Sequence, residues 1–274
     1  LLSCGTLAAT GVGPAGTGKT ASMKLVANTW RTQGRNVIGL APSAAAADVL
    51  SDDIEAQATT IDSLTFTWSG RHPTKPGKSL EALPIDINPG DMLLVDEAGM
   101  ASTKNIAALI EIAREAGAIV RFVGDPLQLD AVESGGLFGA MTRTGTTATL
   151  TDVMRFKDDH EQSAASLQIR EGNAEGLDLH FERGWVNGGT RNAMLEDAAA
   201  NYLEDLAAGR KALLLASTNT DVVHLNSLIQ NVRKTRGEVH EDVQATIARG
   251  EQCGVGDVIL TRKNQRFFEK RDGT

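Results

Sequence analysis

Gly13-Pro14-Ala15-Gly16-Thr17-Gly18-Lys19-Thr20 decides the fold of this chain, because it fills every fixed position of the pattern G-x-x-x-x-G-K-[ST]. Apolar residues from Leu7 to Val12 precede it and read as a strand, and the residues from Lys19 to about Thr32 read as a helix. Between a strand and a helix, glycines let backbone N–H groups turn inward around phosphate oxygens. The start of the helix adds positive potential to that cradle. Lys19 is then suited to reach the outer phosphates of a nucleotide and the Thr20 hydroxyl to hold Mg²⁺. Without a strand before it and a helix after it, the same stretch would be no more than a glycine-rich turn. The expected ligands are therefore ATP and Mg²⁺.

Outward from this loop the chain keeps alternating between strands and helices. Asn36 to Ala41 (NVIGLA) reads as a second strand, followed by an alanine-rich helix to Leu50. Asp91 to Asp96 (DMLLVD) reads as a third strand and Ala118 to Gly124 (AIVRFVG) as a fourth. Between these two, Ile106, Leu109, Ile110 and Ala113 fall on one helical face. Apolar strands separated by helices imply an α/β fold, a parallel sheet covered on both sides. Residues 68–90 interrupt the rhythm with four prolines and several glycines and read as an inserted loop or small subdomain.

Two further stretches carry chemistry. Leu93-Leu94-Val95-Asp96-Glu97-Ala98 is an apolar strand that ends in two acids, and ligands of open α/β sheets bind at such strand ends. Asp96 is suited to support Mg²⁺ and Glu97 to orient or activate an attacking water. Alone, an acidic pair after a strand is as well explained by a helix cap; the loop at 13–20 gives it a catalytic reading. One strand later, Gly124-Asp125-Pro126-Leu127-Gln128-Leu129 follows the same rule. The Gln128 amide both donates and accepts hydrogen bonds, which suits a sensor of the terminal phosphate; the alternative is a plain Asp-Pro turn.

Composition limits what else the chain can be. It has 274 residues, 41% of them hydrophobic and only 4% aromatic, enough for one large or two ordinary domains with an aliphatic core. The formal net charge of −8 argues against a basic protein that coats DNA, but leaves room for a local DNA groove. Cys4 and Cys253 stand apart, so neither a zinc knuckle nor a disulfide framework is indicated and a reduced, cytoplasmic protein is expected. No apolar run approaches the ~20 residues of a membrane-spanning helix. The chain starts on Leu1 rather than Met and reads as part of something longer.

Taken together, GPAGTGKT, LLVDEAGM and GDPLQL resemble, in this order, motifs I, II and III of superfamily-one helicases. The form is similar to the RecD-like branch and, within it, to the helicase half of conjugative relaxases of the TraI/TrwC/TraA type. Ala41 to Ala46 resembles motif Ia, Ala58 to Leu64 the next DNA-facing motif, and Leu150 to Phe156 the segment that supplies an arginine, here Arg155, to the γ-phosphate. The resemblance implies a RecA-like P-loop domain over residues 1–147, a partial second RecA-like domain over 148–253 and the opening of an SH3-like β insertion over 254–274. Within the second, Asp197 to Leu206 and Val222 to Val232 read as helices and Lys211 to Ala216 (KALLLA) as a strand.

For function the resemblance implies an ATP-dependent DNA helicase moving 5′→3′ on single-stranded DNA, with relaxosome or other conjugation proteins as partners. The catalytic set would be Lys19, Glu97, Gln128 and Arg155, with Thr20 and Asp96 on Mg²⁺. Pro42, Ser43, Thr60 and Thr218 match DNA-facing positions, although each also suits an ordinary helix cap. Trp68 is the best placed tryptophan for stacking on a base, since Trp30 suits a core position. Departures matter too. The later motifs of the second RecA-like domain are absent, as is the adenine-reading glutamine upstream of the loop. The single tyrosine, Tyr202, and five scattered histidines give no basis for DNA nicking. The alternatives are a vestigial module that holds single-stranded DNA without ATP, and another P-loop ATPase such as a RecD-like subunit of a recombination nuclease or a DNA packaging motor.

Overall fold

The computed structural model describes residues 5–69, 85–128, 136–151, 153–154, 156, 158–247 and 250–259. The chain divides into two compact units, Leu1–Arg183 and Gly184–Thr274.

The first unit is built on a six-stranded sheet. In chain order its strands are β1 (Ala8–Val12), β2 (Val37–Ala41), β3 (Ala58–Thr60), β4 (Met92–Val95), β5 (Ile119–Gly124) and β6 (Thr147–Thr149). In space they run β3-β2-β4-β5-β1-β6, and every pairing is parallel. Its helices are α1 (Lys19–Arg31), α2 (Ala44–Ile54), α3 (Ile61–Trp68), α4 (Thr103–Ala116), α5 (Leu137–Thr144), α6 (His160–Arg170) and α7 (Asp178–Glu182).

Period-two alternation assigns the two faces of the sheet. In β4, Met92 and Leu94 join Met23, Val26, Ala27 and Trp30 of α1 and Leu50 and Ile54 of α2. Leu93 and Val95 point the other way and join Ile61 and Leu64 of α3, Ile106, Leu109 and Ala113 of α4, and Phe138 of α5. Helices thus cover both faces, which is why β4 is a continuous apolar run. Gly39 in β2 lets α2 approach closely: a Cβ there would lie 2.8 Å from the Ala58 Cβ and 3.0 Å from Ile54 Cδ1. Phe122, fully buried in the central strand β5, anchors the α4 side. Phe122→Ala is expected to lower the unfolding free energy by about 3–5 kcal/mol. Urea denaturation checks this as a lower midpoint at an unchanged slope.

The strands and helices expected in the first half are present, with ends shifted by a residue or two and α2 continuing to Ile54. The expected division at 147/148 falls elsewhere. Residues 147–149 form β6, which pairs with β1, and the compact unit runs on to Arg183. The physical reason is that β6 completes the first sheet, and α6, after it, is tied back by an ion pair from Arg170 to Asp125. Of the expected insertion at 68–90, residues 70–84 lie outside the described residues.

In the second unit, α8 (Arg191–Ala207) and α9 (Asn219–Thr235) pack together and β7 (His240–Thr246) pairs antiparallel with β8 (Gln252–Val255). The two expected helices are there, and longer than expected. KALLLA is not a strand: it has no ladder partner among the described residues, and Leu213 and Leu215 are 83% and 79% exposed. β-propensity produces a strand only where a neighbouring strand takes up the backbone hydrogen bonds. The expected β insertion from 254 has only its first residues described. There β8 begins at Gln252 and pairs with β7, a strand not anticipated from the sequence.

Candidate nucleotide-binding site

Because all the strands of the sheet are parallel, their C-terminal ends share one edge. The spatial order β4-β5-β1 sets the ends carrying Asp96-Glu97, Asp125 and the loop at 13–20 side by side, at about 4.8 Å per strand. The residues sit far apart in sequence; strand order alone makes them neighbours.

The loop after β1 is anchored by Gly13 N–H donating to Gly124 O (3.1 Å). Thr17 N–H and its hydroxyl both donate to Pro14 O, at 3.3 and 2.8 Å. Gly16 (φ 82°) and Gly18 (φ 79°) take left-handed conformations that a side chain would oppose. A Cβ on Gly13 would stand 2.5 Å from Thr17 Oγ1. Ala15 lies exposed at the tip of the turn. Lys19 Nζ donates to Gly13 O (2.9 Å), so the ammonium folds back over the loop, and Thr20 is exposed on the first turn of α1. A wound, glycine-dependent loop with its lysine held over the concavity fits a nucleotide phosphate.

At the end of β4, Glu97 N–H donates to Asp96 Oδ1 (2.8 Å). Burial pushes the Asp96 carboxyl above its ordinary range, against the opposing pull of that N–H and of Lys19. Glu97 stands at φ 48°, a left-handed conformation for a residue with a long side chain, just before a short 3-10 turn over Ala98–Met100. That turn lies against the end of β5. A Cβ on Gly124 would be 3.0 Å from Ala98 N, and one on Gly99 3.1 Å from Asp125 O. Both glycines are needed for this approach, and sequence reasoning passed over them.

The residues after β5 form a turn. Gln128 N–H donates to Asp125 O (3.3 Å), Leu127 N–H to Asp125 Oδ1 (3.1 Å), and the Gln128 side chain is exposed. Asp125 itself is buried, its side chain 1% exposed, and is gripped by Arg170 of α6: Nε to Oδ2 at 2.9 Å and Nη2 to Oδ1 at 2.6 Å. Burial would raise this carboxyl, but the Arg170 and Leu127 hydrogen bonds, with the charges of Arg170 and Lys19, hold it below its usual range. Lys19 therefore acts electrostatically on both Asp96 and Asp125. Arg170 was not singled out from the sequence; a lone arginine near a helix end carries no signal by itself.

The segment after β6 lies along the loop, with Leu150 N–H donating to Val12 O and Met154 N–H to Gly16 O, both at 2.7 Å. Arg155 lies outside the described residues. Further along, Asp159 caps α6 by accepting from Gln162 N–H and pairs with Arg183. These contacts, the Arg183 bond foremost, bring its carboxyl down to about 2. Since an unfolded aspartate titrates near 3.8, the pairing contributes stability above that pH and loses it as pH falls through the folded value. Asp159→Asn keeps a capping side chain but not the charge. Its urea midpoint is expected to fall below wild type at neutral pH and to meet the wild-type curve near pH 2, a comparison that a pH series of denaturation curves makes.

The residues matched to DNA-facing motifs are all helix starts. Ser43 accepts from Ala46 N–H, Thr60 from Ser63 N–H, and Thr218, in the second unit, from Asp221 N–H while donating to Asp221 Oδ2. Pro42 precedes the first of these caps and is half-buried. Ser43 and Thr60 lie at the C-terminal ends of β2 and β3, on the edge that carries the loop. Trp68 ends α3, 42% exposed, its indole N–H donating to Glu115. Trp30 is buried in the core, as expected.

A parallel α/β sheet with a phosphate-cradling loop after β1 and acids at the end of β4 defines a P-loop nucleotide-binding protein. A family model described as an AAA domain matches residues 1–191. The chain belongs to that family, the AAA domain of RecD-like helicases. It is 30% identical over 265 residues to the conjugal transfer protein TraA of Rhizobium radiobacter, covering 96% of this chain and 23% of that protein. It is 28% identical over 266 residues to a probable conjugal transfer protein TraA of Sinorhizobium fredii, again covering 96% of this chain and 23% of the relative. The chain thus spans about a quarter of the curated relatives' length. Among solved structures it is similar to the arterivirus nonstructural protein 10 helicase with DNA, at TM-score 0.34 and 15% identity, over 52% of this chain and 35% of that one. At that score the fold assignment rests on the strand order itself. No helix among the described residues is long and apolar enough to cross a membrane.

Proposed function

We propose that this chain is the ATP-driven motor region of a DNA helicase, the helicase part of a conjugative relaxase that acts on single-stranded DNA in plasmid transfer and moves 5′→3′. The carrying observation is the juxtaposition, on one sheet edge, of the wound loop bearing Lys19, the Asp96-Glu97 pair and the Asp125–Gln128 turn. The relatives named as conjugal transfer proteins support the biological setting.

In this reading Lys19 leaves the Gly13 carbonyl and takes up the charge of the β- and γ-phosphates, while the loop at 13–20 wraps the phosphate oxygens, with its N–H donors drawn from Ala15 to Thr20. Thr20 and Asp96 would hold Mg²⁺, which when bound neutralises phosphate charge. Glu97 orients a water and accepts its proton as the new oxygen–phosphorus bond forms and the bond to the β-phosphate oxygen breaks. Gln128 contacts the γ-phosphate, and Arg155 supplies further positive charge there. DNA would contact Pro42, Ser43, Thr60 and Trp68 in the first unit and, separately, Thr218 in the second, with hydroxyls and helix N-termini on its phosphates and Trp68 against a base. Relaxosome proteins are the expected partners and the cytoplasm the expected compartment.

The test is ATP turnover and nucleotide binding by the chain, with and without single-stranded DNA. DNA-stimulated turnover, or Mg²⁺-dependent nucleotide binding that a DNA strand modulates, supports the motor. DNA binding with no nucleotide binding at all would replace it with a vestigial DNA-holding module.

A further inference from the structure

Asp125 is a buried residue that closes the turn after β5 with both its carboxylate and its main-chain carbonyl. Its Oδ1 receives Leu127 N–H, and its main-chain carbonyl receives Gln128 N–H. Together they close the turn that presents the exposed Gln128 amide at the nucleotide edge. The carboxylate can do this only in one orientation. Arg170 fixes that orientation with a two-point grip, Nε and Nη2 each on a separate oxygen, from the last residue of α6. A fork on a carboxylate gives geometric specificity that a point charge does not. A buried ion pair is a poor source of net stability compared with apolar packing, so its value here lies in geometry. The opposite end of α6 begins at His160, a few residues after Met154, whose N–H bonds to Gly16 O of the phosphate loop. The helix therefore links two elements that border the same site.

We propose that Arg170 is a positioning residue: through Asp125 it holds the turn that aims Gln128 at the terminal phosphate, and so tunes discrimination between nucleoside triphosphate and diphosphate. This rests on the reading of Gln128 as the terminal-phosphate sensor. Arg170 touches no nucleotide; its effect passes through Asp125.

The test measures affinities of the 274-residue chain for fluorescent ADP and for a fluorescent, slowly hydrolysed ATPγS analogue, both with Mg²⁺. Four proteins are compared: wild type, Gln128→Ala, Arg170→Gln and the double variant. Wild type is expected to prefer the triphosphate about tenfold, the contribution of one hydrogen bond to a charged oxygen. Gln128→Ala should lose that preference. Arg170→Gln should lose it as well, with ADP affinity unchanged. The double variant should lose nothing more, as for residues acting in one chain. If Arg170→Gln does not fold, Arg170→Lys, which keeps the charge but not the fork, takes its place. A variant at 170 that retains the preference while Gln128→Ala loses it overturns the clamp and leaves the sensor reading intact. A loss at 170 that weakens both nucleotides equally, or adds to the Gln128→Ala loss, also overturns it. A wild-type preference in Gln128→Ala overturns the sensor reading, and the clamp with it.

Discussion

Lys19→Ala is expected to lower ATP turnover by about 10²–10³-fold, the usual cost of removing one preorganised group from a charged transition state, and to weaken nucleotide binding along with it. The expected change in stability is small. Among the described residues the side chain makes one hydrogen bond, from Nζ to Gly13 O. The loop does not depend on that bond, because Gly13 N–H on Gly124 O and Thr17 on Pro14 O hold it independently. Thermal unfolding beside a nucleotide titration checks both halves. A melting point close to wild type with nucleotide binding lost assigns Lys19 to phosphate charge. Undiminished binding would remove Lys19 from the site.

Glu97→Gln should leave nucleotide binding close to wild type while turnover falls by about 10²–10⁴-fold, the range for losing a positioned general base. The amide is nearly isosteric and can still hold a water, but it cannot take the proton. Single-turnover measurement with ATP separates this from Lys19→Ala, since here the bound complex forms and stalls. The backbone adds a second, independent expectation. Glu97 sits at φ 48° in a region that costs a side-chain-bearing residue on the order of 1–3 kcal/mol. Asparagine tolerates that conformation better. Glu97→Asn is therefore expected to raise the unfolding free energy by about 0.5–1 kcal/mol, recovering part of the strain, while turnover stays lost. A more stable, inactive variant is the mark of strain kept for function. A Glu97→Asn protein that is both less stable and still active would mean that the acid serves only as a turn residue.

The charge balance around Lys19 joins these two expectations. Its ammonium acts on Asp96 and on Asp125. Asp125 is already matched by Arg170, whereas among the described residues no arginine pairs with Asp96, which is pushed upward by burial. The acid left short of positive charge is the one read as the Mg²⁺ support. This follows from the sheet: Asp96 is half-buried beside the central strands, where desolvation disfavours an unmatched carboxylate.

The phosphate loop was legible because its requirements are local. Gly16 and Gly18 must take positive φ, Lys19 must follow within reach, and a strand and helix must flank them; all of this lies within about 25 residues of continuous sequence. The core strands were legible for the same reason, since a strand buried on both faces has to be apolar throughout, as Met92–Val95 is. KALLLA shows the limit of that rule: the same local pattern stays irregular, with Leu213 and Leu215 exposed, where no neighbouring strand is found among the described residues. Ser43, Thr60 and Thr218 mark another limit, since a hydroxyl before a helix reads equally as cap or phosphate ligand, and each is found capping its helix.

What the sequence by itself determined about this protein was its class: a parallel α/β sheet with a phosphate loop, an acid pair and a glutamine turn, each built from contiguous residues. Only the tertiary structure decided which of these meet. The β4-β5-β1 order sets three strand ends together, Gly99 and Gly124 allow two turns to touch, and Arg170, 45 residues beyond Asp125, closes on its carboxylate. Such contacts depend on strand order and helix packing across the whole sheet, and no local spacing encodes them.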